Sequence, residues 1–415
     1  MITKRLGGNI KFPSGYKLTN ASEGAGNDRE KLVMNEKIIK VQHIITSLSR
    51  GGAETMLYKL IESLPCDSGF KHSVISLTGE NAFDFASMGV PVKNLEMQRG
   101  IPSVKAWKLL RQHVRAFTPD LIQGWMYHGN FAASIAANSR KPVFFGMHYT
   151  LSRFKEEKRV LKALIYIGAY MARGSVSRVV YCSQKSRRQH EAIGYPAAKS
   201  VFIPNGYDCE RFRPAEKGKN NARAAAGLVL PEDALVAGHA ARYHPMKNHL
   251  GIIRSFSDVV KRQSRAHLVM IGRDVTPENA ALQKAVSMAG LRGRVHLLGE
   301  RNDMARMMSA FDVYLSGSSW GEAFPIVLGE AMSCGVPCIA TDVGDSSLLI
   351  GDTGRIVQPG DEAALAASIL EILSMSEEDR LALGNAARNR VVSEFSLPAT
   401  AGRYAELYRE LSGRC

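Results

Sequence analysis

Residues 38–64, IIKVQHIITSLSRGGAETMLYKLIESL, carry the pattern that decides the fold. The run Ile38–Ile45 is short, apolar and β-branched, which is typical of a buried strand. After the loop Thr46–Gly52, the segment Ala53–Leu64 has apolar residues at helical spacing, namely Met56, Leu57, Leu60, Ile61 and Leu64. A strand, a glycine-bearing turn and a helix in this order predict a first βα unit.

The same unit recurs along the chain. Further strands of the first half are predicted at His72–Leu77, Asp120–Gln123, Pro142–Met147, Ser177–Tyr181 and Ser200–Ile203. The pattern then restarts with strands at Ala234–Ala240, His267–Ile271, Val295–Leu298, Val313–Leu315 and Pro337–Ala340. Helices are predicted at Asn248–Gln263, Glu278–Ala289, Asp303–Ala310, Pro325–Cys334, Glu362–Leu373, Glu377–Ser393 and Pro398–Leu411. Short apolar strands between helices predict an α/β fold of two doubly wound domains with parallel sheets.

The length of 415 residues also favours two domains, because one hydrophobic core rarely organises so long a chain. The stretch Pro204–Leu230, with its prolines, Gly206 and polar residues, is the best candidate linker. We therefore predict domains at residues 38–207 and 231–395, a linker at 208–230 and a final helix within 396–415 that crosses back to the first domain. Residues 1–37 lack the apolar core of a secretory signal and are predicted to be a disordered extension.

The composition is that of an ordinary globular protein. Hydrophobic residues make up 45% and charged residues 22%, which excludes a fibrous or disulfide-stapled class. No apolar run of about 18 residues occurs, so no membrane-spanning helix is expected. The cysteines form no Cys-x-x-Cys pair and have no histidine at ligand spacing: Cys66, Cys182, Cys209, Cys334, Cys338 and Cys415. Reduced thiols, no metal and a cytoplasmic location are therefore predicted.

The positive charge belongs to the first half of the chain. Residues 1–207 hold 30 Lys and Arg against 14 Asp and Glu, a balance of +16. Residues 208–415 hold 24 against 25, a balance of −1, and the two sum to the net charge of +15. A one-sided positive field suits nucleic acid, an anionic membrane or an acidic substrate, and the asymmetry alone does not choose among them.

The most informative motif is residues 316–335, SGSSWGEAFPIVLGEAMSCG. A strand ends in small residues, the next loop carries Glu322, and Pro325 stands where the first helical position is expected. The helix N-terminus at Ala323, Phe324, Pro325 and Ile326 would offer free N–H groups to a phosphate or a sugar oxygen. Glu330 lies about a turn into this helix, so the two carboxylates could accept from sugar and ribose hydroxyls. For an isolated pair of acids, a capping acid and a solvated helix residue would be the ordinary interpretation.

Cations follow other strands of the second half. Arg242 and Lys247 stand in AARYHPMKNH, between a strand and a helix, and two fixed cations suit a diphosphate leaving group. Gly272 and Arg273 follow the strand HLVMI, and Arg301 stands in the later loop GERND. Because parallel strands end at one edge, a base and ribose would lie there. Each cation alone is equally typical of a solvated surface.

Gly51 and Gly52 lie between the first strand and the first helix, where the backbone can approach a phosphate closely. The stretch is neither a Gly-x-Gly-x-x-Gly fingerprint nor a Walker loop, so bound NAD or FAD and ATP hydrolysis are disfavoured. No cofactor is therefore expected. His128 and His148 also lie at predicted strand ends, although most histidines in such positions are structural.

Taken together, these residues resemble the retaining glycosyltransferase family 4 (glycosyl transferases group 1), which has the GT-B fold of two facing Rossmann-like domains. The resemblance covers roughly residues 38–411 and is strongest from Glu322 through AMSCGVPCIATDVG. It implies that Glu330 binds the ribose and that Glu322 with the backbone of residues 323–326 holds the donor sugar. It also implies that Arg242 and Lys247 neutralise the diphosphate, that Gly51 and Gly52 close on it, and that His148 lies beside the reacting sugar.

One departure from the family pattern is residues 344–346, Gly-Asp-Ser, where many members have a Gly-Gly turn and a later Glu. The resemblance implies transfer of a hexose-type sugar from a UDP- or GDP-sugar to a glycan or glycolipid acceptor in cell-surface polysaccharide synthesis. It also implies that the basic stretch Arg153–Arg173 is an interfacial helix that contacts an anionic membrane. A buried core helix with a solvated basic rim is an equal alternative.

Two other functions are compatible with the same fold. A sugar-nucleotide epimerase would act on its donor without any acceptor. A non-catalytic binding protein, including a nucleic-acid binder, would use the basic half, but no stacking aromatics or recognisable nucleic-acid module accompany the positive charge. A phosphorylase would need a pyridoxal-phosphate lysine site and a much longer chain. No nucleic-acid partner is therefore expected.

Overall fold

The computed structural model describes residues 38–49, 51–79, 81–97, 104–137 and 141–413. The predicted extension at residues 1–37 lies outside the described residues. Within the described part, two parallel sheets carry helices on their faces, which confirms the predicted fold class.

The first sheet has seven parallel strands in the order β3-β2-β1-β4-β5-β6-β7. The central strands are almost completely buried, and most of their side chains are apolar. In chain order the strands are β1 Ile39–Ile45, β2 Phe70–Ser76, β3 Val92–Asn94, β4 Leu121–Trp125, β5 Val143–Met147, β6 Arg178–Tyr181 and β7 Ser200–Phe202.

The second sheet has six parallel strands in the order β10-β9-β8-β11-β12-β13. In both sheets the chain starts near the middle, builds toward one edge and then returns to build toward the other. The strands are β8 Leu235–Ala240, β9 Ala266–Ile271, β10 Val295–Leu297, β11 Val313–Ser316, β12 Cys338–Thr341 and β13 Gly354–Val357.

Helices connect the strands and cover both sheets. Those of the first half are α1 Gly52–Ser63, α2 Val104–Phe117, α3 Met126–Ala137, α4 Arg159–Arg173 and α5 Gln184–Ala192. The rest are α6 Lys219–Ala225, α7 His249–Arg262, α8 Ala280–Met288, α9 Met304–Ser309, α10 Ile326–Ser333, α11 Ser346–Ile350, α12 Glu362–Ser374, α13 Glu377–Glu394 and α14 Leu397–Leu411. Among the described residues, no helix combines the length and the apolar character needed to cross a membrane.

Two strands were not predicted, and both lie at a sheet edge. β3 is three residues long and partly exposed, and β13 begins with Gly354 and Arg355. An edge strand buries fewer side chains than a central one, so its sequence need not form the apolar run that identified the others. The remaining predicted strands differ from the observed ones by two residues or fewer at each end.

The connection between the sheets is more structured than its composition suggests. The predicted linker contains α6, which packs against α9 of the second half. After the second sheet, α13 packs on α10, whereas α14 packs on α1 and β1 of the first half. Tyr404 and Tyr408 of α14 are buried in the hydrophobic core of the first half. After folding into the second half, the chain therefore returns to the first half through α14.

Candidate active site

A cavity of about 510 Å³ lies where the carboxyl ends of central strands from both sheets face each other. It is lined from the first half by the turn before α1 and by the residues after β4 and β5, and from the second half by the loop before α10. Nine residues predicted from the sequence line it: Gly51, Gly52, His148, Lys247, Glu322, Ala323, Phe324, Pro325 and Ile326.

Two helix N-termini point into this cavity, one from each half. α1 starts after Gly51, and α10 starts after Pro325, and neither flanking residue caps its helix with a side-chain hydrogen bond. A Cβ atom added at Gly52 would lie 3.6 Å from Cδ1 of Ile326, so the two termini lie close together. The first N–H groups of a helix need acceptors, and the helix dipole makes this end favourable for an anion.

The α10 N-terminus differs slightly from its prediction. Pro325 has an extended ψ of 119° and precedes the helix, which begins at Ile326. Pro325 was predicted at the first helical position, and that placement is wrong by one residue. The ring still leaves no N–H at the entry of the helix, so the exposed donors belong to the residues after it.

Glu322 and Lys247 meet at the wall of the cavity. Lys247 Nζ forms an ion pair with Glu322 Oε1, and Ser318 Oγ donates to the same oxygen at 2.8 Å. Thr150 of the first half donates its hydroxyl to the Glu322 carbonyl at 3.1 Å. The carboxylate is thus fixed from its own half, while its backbone is held from the other half.

His148 follows β5 and stacks on Trp125, with ring centroids 5.1 Å apart and an interplanar angle of 18°. Burial lowers its pKa to about 4, and a hydrogen bond with Asn205 opposes this shift only partly. His148 is therefore neutral at neutral pH. Its Nδ1 is buried and has no hydrogen-bond partner among the described residues.

A chain of buried hydrogen bonds fixes the ring of Trp125 beneath His148. Trp125 Nε1 donates to His43 Nδ1 at 3.2 Å, His43 Nε2 pairs with His72 Nδ1 at 2.9 Å, and His72 Nε2 pairs with the Leu64 carbonyl at 2.9 Å. One assignment satisfies all three bonds: each histidine carries its proton on Nε2. Burial lowers the pKa of both histidines, that of His72 to about 4, which agrees with neutral rings.

Glu330 forms an ion pair with a lysine of the first half. Its carboxylate is 3.4 Å from Lys59 Nζ of α1, so α10 and α1 are joined by an ion pair across the two halves. Burial raises the pKa of Glu330, while Lys59 opposes the rise. Glu330 does not line the cavity, and its contact with the ribose stays a prediction.

Four other predicted residues lie away from the cavity lining. Arg242 is exposed, and Arg273 is exposed within 4.0 Å of Glu300. Arg301 pairs with Asp303 at 2.6 Å and donates to the Ala226 carbonyl, which turns it toward the α6 segment. Gly272 has φ of +146°, and a Cβ there would lie 2.1 Å from the Ala241 carbonyl, so the fold itself requires this glycine. Their contacts with donor stay predictions.

Some lining residues gave no usable signal in the sequence. Asn205 donates to the Phe324 carbonyl at 2.9 Å, yet its Pro-Asn-Gly neighbours suggest only the turn that begins the candidate linker stretch Pro204–Leu230. His239 is 2% exposed and donates from Nδ1 to the Leu315 carbonyl at 2.8 Å. A polar residue inside the apolar strand AGHA was the only indication. His128, in contrast, is exposed on α3 and outside the cavity lining.

Among the described residues, no cluster of three or more His, Cys, Asp or Glu side chains is arranged to hold a metal ion. Of the described cysteines, Cys66 is exposed, and Cys182, Cys209, Cys334 and Cys338 are buried and unpaired. Burial raises the pKa of the Cys334 thiol to about 12, so that side chain is protonated at neutral pH.

Comparisons with known proteins identify the family of this chain. Residues 50–211 match the Glycosyltransferase Family 4 model, and residues 221–390 match the model of glycosyl transferases group 1. EpsF of Bacillus subtilis, a protein named as a glycosyltransferase, is 26% identical over 74% of this chain and 80% of its own length.

Two further matches are informative. The UDP-Gal:alpha-D-GlcNAc-diphosphoundecaprenol alpha-1,3-galactosyltransferase of Escherichia coli is 26% identical over 51% of this chain and 54% of its own length, so the match spans about half of that relative. The crystal structure of Anabaena Alr3699/HepE in complex with UDP superimposes with a TM-score of 0.78 at 21% identity, covering 90% of this chain and all of that one. The chain is a glycosyltransferase of the family 4 type with the GT-B fold.

Proposed function

We propose that this protein transfers a hexose-type sugar from a UDP- or GDP-sugar to a lipid-linked glycan acceptor, with retention of the anomeric configuration and without a metal ion. The observation that carries the proposal is the convergence on one cavity of Lys247 and of two helix N-termini whose preceding residues, Gly51 and Pro325, provide no side-chain cap. This arrangement supplies positive potential from fixed dipoles and one fixed charge, which a diphosphate leaving group requires.

The donor would lie with its diphosphate between the N-termini of α1 and α10. Lys247 is 21% exposed and already placed at the cavity wall, so it can contact the phosphate without a large movement. Arg242 is exposed at the same sheet edge and would have to turn inward to contribute. The complexes of HepE with UDP and with UDP-glucose favour a uridine donor among the alternatives.

In the proposed reaction, the bond between the anomeric carbon and the diphosphate oxygen breaks, and its electron pair goes to the diphosphate. The acceptor hydroxyl oxygen bonds to the anomeric carbon on the same face, and its proton passes to the departing phosphate oxygen. Glu322 and the neutral His148 would hold sugar hydroxyls. A histidine with a pKa of about 4 cannot supply positive charge at neutral pH, so we assign it positioning rather than charge stabilisation.

The acceptor would enter from the side of α4. Ile165, Gly168, Ala169 and Ala172 of this helix face the core, whereas Val160, Tyr166, Ile167 and Tyr170 are exposed among the basic residues Arg153, Lys155, Lys158 and Arg159. The segment after β5 contains His148, which lines the cavity, and then Arg153, the first of these basic residues. Exposed aromatics with cations suit an anionic membrane, and the Escherichia coli relative is named for a diphosphoundecaprenol acceptor.

We therefore propose a cytoplasmic protein in peripheral contact with the membrane, acting in the synthesis of cell-surface polysaccharide. Sedimentation with vesicles tests the contact: binding to anionic vesicles should exceed binding to zwitterionic ones and should fall when Tyr166 and Tyr170 are both replaced by Ser. Equal binding to both kinds of vesicle would contradict an electrostatic contact with the surface.

The function is tested by incubating UDP- and GDP-sugars with and without a panel of lipid-linked glycan acceptors and analysing the products by mass spectrometry. We expect a glycosylated acceptor that carries the donor's anomeric configuration, as judged by NMR, and the same yield in the presence of EDTA. Conversion of the donor sugar without any acceptor would instead indicate an epimerase. Binding of nucleic acid without binding of any sugar nucleotide would indicate the non-catalytic alternative.

A further inference from the structure

Asp345 joins the two halves of the molecule beside the cavity. It follows β12 in the second half, yet its carboxylate reaches the first turn of α5 in the first half. Oδ2 accepts from the backbone N–H of Gln184 at 2.5 Å, and Oδ1 accepts from that of Lys185 at 3.0 Å. The residue is only 4% exposed, so these bonds are shielded from water.

The start of α5 depends on this contact for its hydrogen bonds. The hydroxyl of Ser183 accepts from Ser186 N at 3.1 Å, and Asp345 accepts from the two N–H groups before it. A carboxylate at a helix N-terminus is also favoured by the helix dipole. The first three N–H groups of α5 are thus satisfied, two of them by a residue of the other half.

The same turn of the second half contacts the loop that carries Glu322. Asp345 N donates to the Ala323 carbonyl at 2.8 Å. Gly344 has φ of +60°, and a Cβ there would lie 2.5 Å from the carbonyl oxygens of Glu322 and Ala323. Asp345 therefore bonds to α5 with its side chain and to the proposed sugar-binding loop with its backbone.

We propose that Asp345 is a positioning residue that fastens the Glu322 loop to α5 and so sets the spacing between the two halves of the active site. This proposal rests on the transferase function proposed above. It gives a role to the Asp of the Gly-Asp-Ser turn, the position at which the sequence departs from the family pattern. Loss of the contact should lower kcat more than donor affinity, because Lys247 and the α10 N-terminus stay together in the second half and only the α1 side of the donor site moves.

Two variants remove the contact from opposite sides. Asp345→Ala removes the acceptor, and Gln184→Pro removes one donor while leaving Asp345 intact. Proline is well tolerated at the first position of a helix, and Ser183 before it has the extended φ of −141° and ψ of 134° that a following proline requires. Asp342→Ala is the matched control, because Asp342 accepts from Ser347 Oγ of its own half.

Steady-state kinetics and small-angle X-ray scattering are measured on each full-length protein. Both variants should lower kcat by about tenfold, which corresponds to about 1.4 kcal/mol, with donor KM changed by less than about threefold and with a larger radius of gyration. The control should match the wild type in all three. Wild-type kcat and scattering in both variants, or a lower kcat without any change in scattering, would overturn the proposal.

Failure of the two proposals can be told apart. A wild type that transfers no sugar contradicts the transferase function, whereas the scattering comparison still decides whether Asp345 holds the halves together. If Asp345→Ala does not fold, Gln184→Pro gives the decisive result, since its substitution suits the local backbone.

Discussion

At the residue scale, Lys247 and Glu322 show how a site is assembled from distant positions. They are 75 residues apart in sequence and form an ion pair at the cavity wall. Both were predicted, because each lies between a strand and a helix of a parallel sheet, and such positions meet at one edge. Their pairing with each other was not predicted, because the sequence does not specify which side chains meet at that edge.

Replacing Lys247 by Ala should lower turnover by about 10²-fold, the typical cost of losing one preorganised group that stabilises developing charge. The free energy of unfolding should change by less than about 1 kcal/mol, because the pair is partly exposed and Ser318 still donates to Glu322. Turnover with the donor found in the screen and a urea titration measure the two effects.

Lys261→Ala is the control, since Lys261 pairs with Asp258 on the surface of α7. It should leave both turnover and stability close to those of the wild type. Near wild-type turnover in Lys247→Ala would show that this lysine does not stabilise the leaving group.

At the element scale, the first turns of α1 and α10 define the cavity. Glycines before α1 and proline before α10 were visible in the sequence, and this made both helix starts predictable to within one residue. Asn205 lies at the start of the candidate linker stretch Pro204–Leu230, because its Pro-Asn-Gly neighbours are typical of a turn. Its contact with the Phe324 carbonyl depends on the second half folding against the first, which local sequence cannot indicate.

Gly52→Val should impair catalysis without unfolding the protein. Gly52 is exposed, and a Cβ atom added there would lie 3.6 Å from Cδ1 of Ile326. The branched side chain of valine would therefore fill the space between the two N-termini. We expect kcat/KM to fall by at least about tenfold, with a melting temperature within a few degrees of the wild type.

Gly402→Val in α14 is the matched control, because no atom lies within 4 Å of the added Cβ. It should retain wild-type kcat/KM. Full activity in Gly52→Val would contradict the placement of the diphosphate between these two helices.

At the scale of the whole molecule, two halves with similar sheets have different charge. The excess of positive charge in residues 1–207 and the nearly neutral second half were evident from the sequence. The contacts between the halves were not, since Thr150 with Glu322, Lys59 with Glu330, and Asp345 with α5 each join residues more than 150 positions apart. The fold could therefore be predicted almost completely. Of the site, the residues of single loops could be predicted, but the contacts between distant residues could not.

Stability should decrease as the pH falls from 7.5 to 5.5, because several buried histidines are neutral in the folded state. Burial lowers the pKa of His72 and of His190 to about 4, against about 6.5 in the unfolded chain. The unfolded chain therefore binds protons first as the pH falls. Each of these histidines should lower the free energy of unfolding by about 1.3 kcal/mol at pH 5.5 relative to pH 7.5.

Urea titrations at pH 7.5, 6.5 and 5.5 measure this dependence. Most carboxyl groups remain ionised over this range, so the histidines dominate the change. An unfolding free energy that stays constant from pH 7.5 to 5.5 would contradict neutral burial of these rings.

The most direct measurement is a crystal structure of the protein with bound UDP. The β-phosphate should lie within hydrogen-bond distance of Lys247 Nζ and of backbone N–H groups in the first turn of α10, facing Gly51 and Gly52 of α1. UDP bound outside this cavity, or bound inside it without contact to Lys247 and α10, would contradict the account.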